Sequence, residues 1–256
     1  MDKEGLPEKV YDDLAKNPLR TISDYLGAML YFKLGPKVEA AADYKAIHEA
    51  RRKVMLENAT KIIGNIPPEY LRAADMQILR MAAADADFCV ENETLSDMFA
   101  QLLASCFDAR KSVHPAYSSI LKNLSPLDAQ NFALLDEVLQ PVVKLQVTYE
   151  DRPKEEVVFV YDIFLENDAE KDIYANSVSI DNLKRLNLVE TNYSNYLPEE
   201  RYSHIDKNEI CRILIGGRDP SNREVNDINL IKGVLAPTSF GIHFFKACTN
   251  DHVTSV

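Results

Sequence analysis

The side chains able to do chemistry in this 256-residue chain are dispersed, and their spacing matches no reactive pattern. Five histidines, His48, His114, His204, His243 and His252, include no i,i+4 pair with a carboxylate between, so no metal site is expected. Four cysteines, Cys89, Cys106, Cys211 and Cys248, lie far apart in apolar surroundings without a C-x-x-C pair. They read as buried free thiols of a reducing cytoplasm rather than as a zinc knuckle or a redox couple. Gly216-Gly217-Arg218 lacks the further glycines and the lysine of a phosphate loop, and no Gly-x-Ser-x-Gly elbow occurs. His114 precedes Pro115 at a helix boundary, where it is expected to cap the carbonyls of Arg110 and Lys111 or to shape the turn. The expectation is a protein with no catalytic residue, no metal and no cofactor.

Recognition chemistry is confined to Asn182, Lys184 and Arg185. On an exposed helix in a DNA groove, Asn182 could read adenine and Arg185 guanine. Charge opposes this. The net charge is −11, and residues 125–174 hold 12 acidic side chains against 4 basic ones, so the chain has no net basic region for phosphates. Asp181 and Glu190 flank the three candidates, while Glu49 and Glu57 flank the triplet Arg51-Arg52-Lys53, which reads as a solvated helix face. The apolar stretch Ile22–Leu34 contains Asp24 and Lys33 and is short of the ~20 residues a membrane span needs. It could dock into the protein or lie on a membrane surface. The polar first 17 residues lack a signal-peptide core, so the cytoplasm is the expected compartment.

A hydrophobic content of 46% and a charged content of 27% describe a soluble globular chain of one or two domains, without repeats or low-complexity linkers. From Asn17 to about Asn123 the periodicity is helical. One helix starts at Asn17-Pro18, and a longer one follows Gly35-Pro36 with Ile47, Val54, Ala59, Ile62 and Ile63 inward and Gly64 at its end. The next starts at Pro67-Pro68, turns Tyr70, Leu71, Ala74, Ile78, Leu79 and Met81 inward, and runs to about Asp87. Asn92 or Thr94 caps a helix with Leu95, Met98, Phe99, Leu102, Leu103, Cys106 and Phe107 inside, a stripe wide enough for the centre of a bundle. Ser125-Pro126-Leu127-Asp128 carries a cap, a first-turn proline and an acid at the positive helix end, and that helix is read through to Pro141.

Beyond it, Val143, Leu145, Val147 and Tyr149 alternate with polar residues, and Val157–Phe164 is β-branched and aromatic. This predicts a β-hairpin around Glu150–Pro153, although the second segment also suits a helix. Ser179 is expected to cap a helix through Leu186, with Asn187 left-handed at its end and Leu188–Thr191 extended. Gly233–Pro237 returns as a strand, and Thr238 caps a last helix. The outline is α+β, mainly α. A helical bundle, 1–124, precedes a winged-helix-like region, 125–250, with an inserted hairpin, an excursion over 192–232 and a tail, 251–256.

Three stretches resemble the Abi-alpha family, bacterial proteins associated with abortive phage infection. They are Leu95-x-x-Met98-Phe99-Ala100-x-Leu102-Leu103-Ala104; His114-Pro115-Ala116-Tyr117 through Leu124-Ser125-Pro126-x-Asp128-Ala129; and Ser179-Ile180-Asp181-Asn182-Leu183-x-Arg185-Leu186-x-Leu188-Val189 paired with Leu235-x-x-Thr238-x-Phe240-Gly241-x-x-Phe244. They cover roughly residues 65–250, and Asn187 stands where the family usually has glycine. The resemblance implies a role in phage defence and supplies no catalytic residue. The resulting expectation is a non-enzymatic interaction protein that senses a phage component or antagonises a host protein, with homo-oligomerisation left open. The rivals are a nucleic-acid-binding regulator using Asn182, Lys184 and Arg185, and a membrane-engaging toxic effector using Ile22–Leu34.

Overall fold

Apolar residues at three- and four-residue spacing build the first half of the chain, and a period-two stretch starts the sheet of the second. The computed structural model describes residues 38–135, 138–203, 205 and 225–249. The chain divides into two units, Met1–Arg51 and Arg52–Val256. Of the first unit, the described part is the opening of α1 (Val38–Gly64), where Lys45 and Glu49 lie 3.9 Å apart across one helical turn. The helix expected at Asn17–Tyr31 and the stretch Ile22–Leu34 lie outside the described residues.

In the second unit, α1 buries Met55 and Ala59 in the core and packs Ile62 against it. Val54 was expected inward and is 55% exposed, because the buried face follows positions 55, 59 and 62. Ile47, in the first unit, is likewise exposed. Arg51, Arg52 and Lys53 are exposed, and Lys53 lies 3.8 Å from Glu57.

The helix expected from Pro67-Pro68 starts eight residues later. Pro68–Tyr70 forms one 3₁₀ turn, leaving Tyr70 and Leu71 exposed, and α2 (Met76–Asp85) begins on Asp75, whose carboxylate accepts from the N–H groups of Gln77 and Ile78. The intervening chain is held extended from a distance: the Arg72 N–H donates to the Phe107 carbonyl, and the Ala109 N–H donates to the Tyr70 carbonyl. Asn92 caps α3 (Glu93–Ser105), and every residue from Met98 to Ser105 is buried. A helix buried all round is central, and α3 packs against α2, α4 (Ala116–Lys122), α5 (Pro126–Ala133) and the closing helix α7 (Ser239–Cys248). Phe99, Phe132, Phe164 and Phe244 fill the core around it.

Helix α5 ends at Ala133 rather than Pro141. Gln140–Tyr149 is already strand β1, which pairs antiparallel with β4 (Val225–Pro237) from Gln140↔Leu235 to Tyr149↔Val225. The expected hairpin forms between β1 and β2 (Arg152–Ile163), with Val143, Leu145, Val147 and Tyr149 buried. With β3 (Val189–Asn192) the antiparallel sheet has the order β2-β1-β4-β3. The long pairing with β1 starts β4 eight residues before Gly233, so the excursion between β3 and β4 narrows to 193–224. Among the described residues the fold is therefore mixed α and β, with seven α-helices and a four-stranded antiparallel sheet.

Helix α6 (Ile173–Arg185) begins six residues before Ser179. The Asp172 carboxylate caps it, accepting from the N–H groups of Tyr174 and Ala175. Ser179 is instead buried against α5, where the Asn131 amide donates to its Oγ and to Asn176 Oδ1, both at 3.0 Å. The Asn167 amide donates to Asn131 Oδ1, which satisfies both ends of the fully buried Asn131. Asn187 adopts φ 58° after α6, as expected of a left-handed terminus.

Candidate functional site

An acid inside the apolar end of β2 organises the centre of the second half. The β1–β2 register slips between Val143↔Ile163 and Leu145↔Val160, so β2 carries one extra residue there. Asp162 takes up the bulge with φ 48°, a left-handed conformation that aspartate tolerates better than most residues. The bulge turns its carboxylate inward, and Asp162 is 1% exposed. Its Oδ1 accepts from the Tyr193 hydroxyl at 2.6 Å, and its Oδ2 accepts from Lys184 Nζ at 2.5 Å. Lys144 Nζ lies 4.8 Å from the centroid of the Tyr193 ring, whose other surroundings include Gly233. A Cβ at Gly233 would sit 2.6 Å from Tyr193 Cδ1, so a bare backbone is needed for the ring to lie where it does.

Burial first, and the hydrogen bond to Asp162 second, push the Tyr193 phenol far above its ordinary range, so it stays a neutral donor. Both carboxylate oxygens are engaged and the phenol keeps its proton. The cluster ties β2, α6 and the segment after β3 to one another.

The residues read as DNA contacts sit around the same helix. Lys184 turns toward Asp162, with Asp181 at 3.7 Å. The Asn182 amide donates to the Asn123 carbonyl at 3.0 Å and to Asp128 Oδ2 at 2.8 Å, and its Oδ1 accepts from Nε and Nη2 of Arg185. Asp128 also completes the expected capping box: its Oδ2 accepts from the Ser125 N–H, and its own N–H donates to Ser125 Oγ. The structure thus joins Asn182 and Arg185 to the α4–α5 turn and Lys184 to Asp162. The outer face of α6 shows Tyr174, Val178, Asp181 and Arg185, one helical turn apart. Between this face and the start of α5 runs an open groove of about 640 Å³. A second concavity of about 700 Å³ lies against α3, floored by Met98 and Phe245 and edged by Lys61, Glu93 and Asp97.

The remaining sequence landmarks are packing and capping elements. Met98, Phe99, Leu102 and Leu103 are core residues of α3. His114 shapes its turn differently from a cap on Arg110 and Lys111: its Nδ1 accepts from the Ala116 N–H at 3.1 Å, at the start of α4, with Pro115 as the N-cap residue. Its ring meets Phe240 edge-on at 5.8 Å. Thr238 caps α7 by accepting from the Gly241 N–H, while its hydroxyl donates to the Asn187 carbonyl and its N–H to the Leu188 carbonyl. Gly241 lies so close that a Cβ would sit 2.0 Å from the Leu188 oxygen. The motif around Asn187-Leu188 and the motif Thr238-x-Phe240-Gly241 are thus two halves of one contact.

The family model described as abortive infection alpha matches residues 44–248, which includes both halves of that contact. The chain belongs to the abortive infection alpha family. No curated protein and no solved structure matches it. Within the family match lie Asp162, Tyr193 and Asn131, none of which belongs to a sequence motif. One signal pointed to Asp162, a lone acid inside the apolar run Val157–Phe164; Tyr193 and Asn131 carried none. Cys89, Cys106 and Cys248 of this family member are buried free thiols. Among the described residues, no group of three His, Cys, Asp or Glu side chains could hold a metal ion, and no helix is long and apolar enough to cross a membrane. Cys211, His204, His252 and Gly216-Gly217-Arg218 lie outside the described residues.

Proposed function

We propose that this family member acts in abortive infection in the cytoplasm, without chemistry of its own, by binding a protein of the phage or of the host. Family membership supports the defence role. The engagement of Lys184 by the buried Asp162 carries the choice of a protein partner. A base-reading helix presents its cations outward, whereas α6 commits Lys184 to an internal carboxylate and Asn182 to the α4–α5 turn. What α6 offers to solvent is Tyr174, Val178, Asp181 and an Arg185 that is bonded to Asn182, beside a segment with 12 acids against 4 bases. Such a surface repels phosphates and suits a protein.

The strand order β1-β4-β3, with α6 before β3 and α7 after β4, supports reading residues 125–250 as winged-helix-like, with β2 as an inserted edge strand. The helices between residues 52 and 124 are read as the bundle that carries it.

Phage challenge of cells expressing the protein tests the role. Abortive infection gives survival of the culture at low phage dose and collapse at high dose; equal protection at both doses, or none, refutes it. Binding to duplex DNA across a salt series separates the partner classes, because a steep salt-dependent affinity would favour nucleic acid instead.

A further inference from the structure

We infer that the groove between the start of α5 and the outer face of α6 docks a cationic amphipathic helix of the protein partner, an inference that rests on the protein-binding reading above. The groove floor is apolar, formed by Leu127 of α5 and by Tyr174, Ala175 and Val178 of α6. Val178 is 69% exposed and Tyr174 40%, although the opposite side of α6 is fully buried through Ile173, Ile180 and Leu183. An exposed valine is a poor helix former and does nothing for solubility at that position. Tyr174 and Val178 lie one turn apart, the spacing at which a partner helix presents its own i,i+4 anchors.

The Tyr174 ring is braced edge-on by Phe159 of β2, with centroids 6.3 Å apart, so it forms a pre-ordered wall rather than a loose side chain. Charge selects the occupant. Asp172 and Asp181 stand exposed at the two ends of the apolar strip, Asp181 with Lys184 at 3.7 Å, and Asp168 stands exposed just beyond, paired with Lys171 at 3.0 Å. The nearby cations are already engaged, Lys184 by Asp162, Arg185 by Asn182 and Lys171 by Asp168. An acidic rim around an apolar floor complements a helix with one leucine-rich face and lysine or arginine flanks, and opposes nucleic acid and anionic lipid alike.

The test measures fluorescence anisotropy at physiological ionic strength with the full-length protein and an amphipathic Leu/Lys helix of about five turns. A Ser/Lys peptide of the same charge serves as the control. The Leu/Lys helix is expected to bind, the Ser/Lys peptide not, and Val178→Arg to weaken binding at least about tenfold. Val178 is a surface position, and an unchanged melting temperature verifies that the variant folds. Equal binding of both peptides, or an affinity that Val178→Arg leaves unchanged, overturns the inference. So does binding of duplex DNA or phosphatidylglycerol vesicles that the Leu/Lys helix displaces. In phage-challenged cells, loss of protection with Val178→Arg supports the groove. Full protection by that variant removes the groove and leaves the broader reading standing, whereas no protection by the wild type brings both down.

Discussion

The Tyr193 hydroxyl and Lys184 Nζ meet on one carboxylate, that of Asp162, at 2.6 Å and 2.5 Å. Tyr193 and Asp162 are 31 residues apart in the chain, and their bond fastens the segment that follows β3 to the hairpin. Tyr193→Phe is expected to lower the unfolding free energy by about 1–3 kcal/mol, since it strips a donor from a buried charge. Asp162→Ala should cost more, because Lys184 loses its buried partner, though partial exposure of Lys184 and the nearby Asp181 moderate the loss. In urea denaturation, Tyr193→Phe should cost far less when added to Asp162→Ala. Full additivity would show that the two side chains do not interact.

Alkaline pH should destabilise the fold. Burial raises the Cys89 thiol to about 11 and the Tyr117 hydroxyl to about 12, and it raises Tyr193 further. Each raised group holds its proton longer in the folded state than in the unfolded chain. Its contribution is therefore complete below the unfolded pKa and declines as pH rises toward the folded value. Stability should fall from about pH 9, as Cys89 begins to titrate in the unfolded chain, and more steeply above about pH 10 as the tyrosines join. Tyr193→Phe should flatten the slope above pH 10 by about 1.4 kcal/mol per pH unit. A profile level from pH 8 to 11 would contradict the burial of these groups.

Gly241 should accept no side chain. Its Cβ would lie 2.0 Å from the Leu188 oxygen, which is backbone and cannot swing aside. Gly241→Ala is expected to cost about 3 kcal/mol, the upper part of the overpacking range, and to lower the melting temperature by roughly 6–12 °C. Thr238→Ala, which removes the α7 cap, should cost about 1–2 kcal/mol. A Gly241→Ala protein that melts with the wild type would rule out the close approach of α7 to Leu188.

Asn131 is buried completely and bonded to Asn176, Ser179 and Asn167. Asn131→Leu is nearly volume-conserving yet strips Asn176 Oδ1 and Ser179 Oγ of their Asn131 donor, at about 1–3 kcal/mol for each unsatisfied group. Differential scanning calorimetry should show Asn131→Leu well below wild type. A melting temperature at or above wild type would mean that the network adds nothing to stability.

What was legible in the chain follows one pattern. The caps Asn92, Ser125 and Thr238, the left-handed Asn187, the buried stripe of α3 and the alternation of β1 are all present as expected. Each depends on residues within a few positions of one another, where steric limits and hydrogen-bond reach act directly. The starts of α2 and α6, the end of α5 and the length of β4 were misplaced. Distant partners override the nearest local signals: Arg72 pairs with Phe107, Ser179 receives Asn131 so that Asp172 becomes the α6 cap, and β4 lines up along all of β1.

The sequence by itself determined the family, the acidic middle segment and the local punctuation of helices and strands, because these are properties of neighbours and of composition. Only the tertiary structure decided which way the side chains of α6 face. A β-bulge at Asp162 buries a carboxylate that lacks a partner within its own strand. Lys184 and Tyr193, brought from 22 and 31 residues away, satisfy it. A buried charge must be paired, and that requirement draws Lys184 inward and leaves Tyr174, Val178, Asp181 and Arg185 as the face α6 shows to solvent.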